Sequence, residues 1–242
     1  MPSTYVLIHG AWRGSWAWGA VPDILAESGH RVVAPTLPGL NVGDDPASAH
    51  LDTVIDAITA VLAAEDPERT IVVAQDWSSL PVTAALNRLG ASPSRLVHWC
   101  GFIPEEGKSF LGVIPAPDAE MLVTRAQELY GGTAVKVPWK RWRDNFLPTA
   151  TDDIARLTYD LLRPHPLNLF TEILAPGEAR RPDVPTTYLI SELDRSLEPG
   201  PEWWDQGQAA RLGLDPIRLP FDFGPTFTDP RGFADALLAL SV

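Results

Sequence analysis

The residues best placed to do chemistry are Ala74-Gln75-Asp76-Trp77-Ser78, which follow the apolar run Thr70-Ile71-Val72-Val73. Small residues around a central polar one, after a buried strand and before a helix, describe a sharp strand-to-helix elbow. Its bend tolerates only small flanks and pushes the central side chain outward. The central residue is a carboxylate, Asp76. Set in an apolar pocket with Trp12, Trp77 and Phe223, its pKa is expected to rise, because desolvation disfavours the charged form. Such a group suits general acid or base chemistry, a contribution typically worth roughly 10² to 10⁴ in rate.

The elements that must position these residues read as alternating strands and helices. Tyr5–Ile8, Arg31–Ala34, Ile71–Ala74, Arg95–Trp99, Thr186–Ile190 and Ile217–Leu219 are short apolar runs, the pattern of buried parallel strands. Trp18–Ser28 is a helix with Gly29 as its stop, and Leu51–Ala64 keeps a 3.6-residue apolar period. Ser78–Leu89 is the elbow helix, where Pro81 is tolerable only in the first turn. A closing helix runs from Pro230 to Leu240. The expected fold class is α/β, a mostly parallel sheet flanked by helices, as one domain over residues 1–242. Residues 104–181 break the rhythm, with helices at Asp118–Leu129 and Thr151–Leu162, many prolines and no convincing strand. They are expected to form a helical lid over the C-terminal strand ends, the edge where open α/β sheets bind ligands.

Composition narrows the partners. The 242 residues carry a formal net charge of -12, which disfavours nucleic acid and anionic membrane and leaves a small molecule as the expected partner. No apolar stretch approaches the roughly 20 residues that span a bilayer. The N-terminus enters a strand without a signal sequence, so a cytoplasmic location is expected. The single cysteine, Cys100, excludes an internal disulfide. No histidine pair has the spacing of a helical zinc motif and no Gly-rich phosphate loop follows a strand, so neither metal nor cofactor is expected. Trp203-Trp204 reads as a flank of the cavity or as a contact between two copies in a homodimer.

Several motifs resemble a known family. Val6-Leu7-Ile8-His9-Gly10-Ala11-Trp12 with Gly14, Trp16 and Trp18, then Gly29 to Leu40, Leu96 to Gly107, Pro164-His165-Pro166-Leu167 and Thr228-Asp229-Pro230, are similar to the α/β-hydrolase branch of small methylesterases and hydroxynitrile lyases. The Asp76-Trp77 pair resembles haloalkane dehalogenases and epoxide hydrolases instead. The resemblance implies a cradle for developing negative charge in the backbone amides of Ala11, with Trp12, and of Trp77, an acid after a late strand, which falls on Asp194, and a histidine shortly before the Asp-Pro pair. That slot falls on Phe223, and no histidine follows His165. The alternative acid site falls on Cys100, which reads either as a displaced nucleophile or as a small core residue.

Three functions stay open on this reading. Asp76 acts as acid or base in a non-hydrolytic step such as cyclisation, elimination, isomerisation or internal epoxide opening, on a small apolar molecule, with no water to be activated. Or it is the nucleophile of an epoxide hydrolase or dehalogenase, with His165 as a replacement base. Or the chain binds a ligand without chemistry. Of the other histidines, His9 and His30 read as structural turn residues, His50 as solvated and His98 as a satisfied core residue. Tyr130, Trp139, Trp142, Phe146 and Tyr159 shape the pocket or pack between lid helices; the resemblance to epoxide hydrolases also makes Tyr130 and Tyr159 candidates to hold an epoxide oxygen.

Overall fold

The computed structural model describes residues 2–90, 92–198 and 200–241. Among the described residues eight strands are formed: β1 (Thr4–Ile8), β2 (Arg31–Val33), β3 (Thr70–Gln75), β4 (Arg95–Trp99), β5 (Ala134–Val135), β6 (His165–Pro166), β7 (Thr186–Ser191) and β8 (Ile217–Leu219). Six of them make one parallel sheet in the order β2-β1-β3-β4-β7-β8. Every residue of β1 and β3 is buried, which is why they read as unbroken apolar runs rather than alternating ones.

The helices are α1 (Val21–Glu27), α2 (Leu51–Ala63), α3 (Ser79–Leu89), α4 (Phe110–Val113), α5 (Ala116–Tyr130), α6 (Trp139–Arg141), α7 (Asp152–Leu161), α8 (Asn168–Thr171), α9 (Pro201–Gly207), α10 (Pro225–Thr228) and α11 (Pro230–Leu238). In α2 the residues Leu51, Val54, Ile55, Ile58 and Leu62 face the core at helical spacing. Helix α3 ends at Gly90, whose φ of 63° is the left-handed conformation that terminates helices. Asp229 caps α11 by accepting from the Gly232 amide. None of the helices among the described residues is long and apolar enough to cross a membrane.

Two details differ from the sequence reading. Ser15–Trp18 forms a separate 3₁₀ turn, and α1 begins only at Val21. The chain between β4 and β7, expected to lack strands, contains the antiparallel pair β5–β6, with Val135 opposite His165. Each of these strands has two residues, too short for periodicity to reveal.

Candidate active site

Asp76 stands directly after β3 with φ of 59°, a left-handed conformation that costs a non-glycine residue roughly 1–3 kcal/mol. The bend is held by the Ser78 hydroxyl, which donates to the carbonyls of Ile8 (3.1 Å) and Gln75 (2.8 Å). Small neighbours are required: a Cβ on Gly10 would lie 2.8 Å from Asp76 Oδ2. Among the described non-glycine residues, the other two with positive φ are Trp12 (64°) and Cys100 (42°), in the turns after β1 and β4. Strain is therefore concentrated at the C-terminal ends of three adjacent strands.

The Ala11 amide donates to Asp76 Oδ2 at 2.9 Å. Burial pushes the Asp76 carboxyl up to about 6, against the opposing pull of the Arg13 guanidinium and of the Ala11 and Trp77 amides. The cradle expected to receive a substrate's charge thus holds Asp76's own oxygen. The neighbouring donors are also engaged: Gly10 N binds Gln75 Oε1 (3.2 Å), and Trp12 N binds His165 Nδ1 (3.2 Å).

Asp194 follows β7 and is completely buried, accepting from Ser196 N (2.7 Å) and Trp204 Nε1 (2.8 Å). Burial pushes it, too, up to about 6, again opposed by those donors and by Arg13. Phe223, in the slot where the resemblance implies a histidine, is buried against Trp99 and Phe146. Over its face, 4.4 Å from the ring centre, lies the Arg13 guanidinium, which is also 5.1 Å from the Trp142 ring. Arg13 is only 5 % exposed, and burial lowers its pKa to about 10 while Asp76, Asp194 and Asp222 oppose the change. It therefore remains a cation at neutral pH.

A pocket opens beside Asp76, walled by Trp12, Phe102, Phe110, Leu122, Val137 and Phe146 among others. Its outer wall includes Asp118, Met121, Arg141 and Ser196, which also line a wider vestibule of about 1320 Å³. Arg141 closes that wall by pairing with Asp118 and donating to the Ser196 carbonyl (2.6 Å).

The sequence candidates separate accordingly. Asp76 and Trp12 line the cavity. Trp77 is buried beneath it, its indole N–H donating to the Leu169 carbonyl (3.2 Å). Cys100 is buried, accepts weakly from Ser191 N (3.4 Å), and has its thiol pushed well up by burial and by Asp194, the reverse of an activated nucleophile. His165 forms no hydrogen bond to Asp76, and its buried Nε2 has no partner among the described residues. Its Nδ1 accepts from the Trp12 amide, its ring stacks on Phe170 (4.2 Å), and burial holds its pKa well down.

Tyr130 and Trp139 are absent from the cavity lining. Trp139 packs on Tyr159 and under Arg156, and the Tyr159 hydroxyl donates to Val137 O (3.1 Å). His50 is exposed and pairs with Glu172 at 2.7 Å. The residue that sequence reasoning missed is Arg13. Its signal was a lone charge inside the aromatic run Trp12 to Trp18, with no periodicity to mark it as buried.

Among the described residues no cluster of three or more His, Cys, Asp or Glu could hold a metal ion. The sequence pattern of the alpha/beta hydrolase family matches residues 5–236. A carbendazim hydrolyzing esterase from Nocardioides sp. (strain SG-4G) is 29% identical over 47% of this chain, so the match spans about half of that protein, 48%. Norfluorocurarine synthase 1 from Strychnos sp is 26% identical, over 83% of this chain and 81% of its own. An extracellular alpha/beta-hydrolase from Paenibacillus species superposes with a TM-score of 0.91 at 21% identity, covering 99% of both chains.

Proposed function

The chain belongs to the alpha/beta hydrolase family, and from that premise we propose that it is an enzyme of small, largely apolar molecules in which Asp76 carries a proton in a non-hydrolytic step. Cyclisation, elimination, isomerisation and internal epoxide opening all fit that chemistry. One observation carries the reading: Asp76 faces an apolar cavity, and none of the five histidines is hydrogen-bonded to it. His9 is engaged by Gly10 O and Leu37 N, His30 by Ser3 N, His50 by Glu172, His98 by Ser79 and His165 by Trp12 N. Ester hydrolysis by this fold needs an imidazole to activate water; proton transfer by a carboxyl does not. A carboxyl at about 6 exchanges its proton readily near neutral pH. A relative named as a synthase rather than an esterase supports the view that this scaffold hosts more than hydrolysis.

The held Oδ2 also favours a second reading, in which the other oxygen attacks an electrophilic carbon and forms an ester. With no imidazole to activate water, that ester would persist, giving one turnover. The test is a screen of small apolar ketones, aldehydes, epoxides and esters with the wild type, Asp76→Asn and Asp76→Ala. Turnover is expected to vanish in both variants while folding is kept. Unchanged turnover in both would reject the assignment, and tight binding without consumption of any ligand would favour a binding protein.

A further inference from the structure

The amides that normally receive a developing oxyanion are occupied in this chain. Ala11 N holds Asp76 Oδ2, Trp12 N holds His165 Nδ1, and the Trp77 amide supports the Asp76 carboxylate. Proton removal beside a carbonyl, or opening of an epoxide, leaves charge on a substrate oxygen that needs another donor. Arg13 is such a donor. Its guanidinium has five N–H groups, is almost completely buried, and forms no hydrogen bond or ion pair with any described residue.

The acids around Arg13 are committed elsewhere. Asp194 accepts from Ser196 N and Trp204 Nε1; Asp222 accepts from Thr149 N (3.1 Å), Thr149 Oγ1 (2.7 Å) and Gly224 N (2.9 Å). They balance the Arg13 charge through space without taking its protons. The rings of Phe223 and Trp142 support the guanidinium by cation–π attraction, which leaves its N–H edge unused. Phe146 packs on both rings, 5.2 Å from Phe223 and 5.3 Å from Trp142, and itself lines the cavity. Phe146 thus borders both the rings beneath the cation and the cavity that holds Asp76.

We infer that Arg13, standing over the phenyl ring in the vacated histidine slot, is the catalytic electrophile that binds the substrate's oxygen opposite Asp76. The substrate class is then an apolar molecule bearing a carbonyl, carboxylate or epoxide oxygen. This rests on the proposed acid/base role of Asp76. For a carbonyl substrate, Asp76 takes the proton from the adjacent carbon, the C–H electron pair forms the C=C bond, and the carbonyl π pair moves to oxygen, where Arg13 donates. Where the substrate carries a C=C next to that carbon, the proton is returned to the far end of the C=C, the oxygen's pair re-forms C=O and the double bond moves into conjugation, which completes an isomerisation with no other reactant.

Benzoate serves as a stable oxyanion probe and benzyl alcohol as its neutral counterpart, with binding measured by calorimetry at about pH 5.5, where Asp76 is largely protonated. Wild type should bind both. Arg13→Met should weaken benzoate by about tenfold or more and benzyl alcohol by less than about twofold. Arg13→Lys, which keeps the charge without the planar fork, should fall between. In wild type the side-chain nitrogen resonances of Arg13 should shift on adding benzoate, a reading that needs no variant to fold. No benzoate binding by wild type, equal loss of both ligands in Arg13→Met, or a guanidinium resonance unmoved by bound benzoate would each overturn the inference. Asp76→Asn separates the two claims: it should keep Arg13-dependent benzoate binding, so a variant that binds benzoate and also retains turnover rejects the Asp76 role alone.

Discussion

Replacing Asp76 by Asn keeps the side chain's shape and an oxygen for the Ala11 amide, but removes a charge that folding buries. Burial pushes the native carboxyl up to about 6, whereas the same group in an unfolded chain titrates near 3.8. Each pH unit between those values is worth about 1.4 kcal/mol, so ionising Asp76 in the native state costs about 3 kcal/mol. The direction follows from proton binding. The native state holds this proton to higher pH than the unfolded state, so its stabilising effect is complete below about pH 4 and is lost as pH rises through about 6. Asp76→Asn should therefore match the wild type near pH 4 and exceed it by about 3 kcal/mol above pH 7. For a chain of this length that is a rise in Tm of about 6 to 12 °C. Thermal melts of both proteins at intervals between about pH 4 and 8 measure it. A variant no more stable than wild type at pH 8, or a gain that does not change with pH, would refute the claim that Asp76 is a desolvated acid.

Three further outcomes follow from neighbouring contacts. Trp204→Phe removes the indole donor to Asp194 and should cost about 1–3 kcal/mol in urea melts, deepening as pH rises through about 6 and Asp194 ionises; a pH-independent loss would argue against a buried charge there. Gly10→Ala places a Cβ 2.8 Å from Asp76 Oδ2 and should displace the carboxyl, lowering kcat about 10²-fold while the fold survives; an unaltered kcat would mean that its placement is not critical. Asp118→Asn loosens the Arg141 pair in the wall between vestibule and cavity. An apolar fluorescent dye should then bind about fivefold faster in stopped flow, the rate equivalent of about 1 kcal/mol, and an unchanged rate would show that the pair does not bar access.

The sheet and the elbow were legible in the sequence because they depend on local pattern. Fully buried parallel strands such as Tyr5–Ile8 and Ile71–Ala74 appear as continuous apolar runs, and a sharp bend after one of them demands small flanks around Asp76. The electrostatic partners were less legible because they join distant parts of the chain. His165 meets Trp12 across 153 positions, so no spacing rule could show that its Nδ1 is occupied. The Ala11 amide was identifiable as a donor, but its acceptor, the Asp76 carboxylate, emerges only when β1 and β3 lie side by side. Arg13 sits in a loop without periodicity, where a charged residue ordinarily implies solvent. Its burial follows from Trp142 and Phe223, both far along the chain.

The proposed chemistry requires that Asp76 move a proton rather than form a bond to carbon. The most direct measurement is mass analysis of the Asp76 peptide after repeated turnover in heavy-oxygen water, with any substrate that wild type consumes and Asp76→Asn does not. An Asp76 carboxyl that stays unlabelled is the predicted result. Heavy oxygen in that side chain would mean that an ester formed and was cleaved there, and would contradict the account.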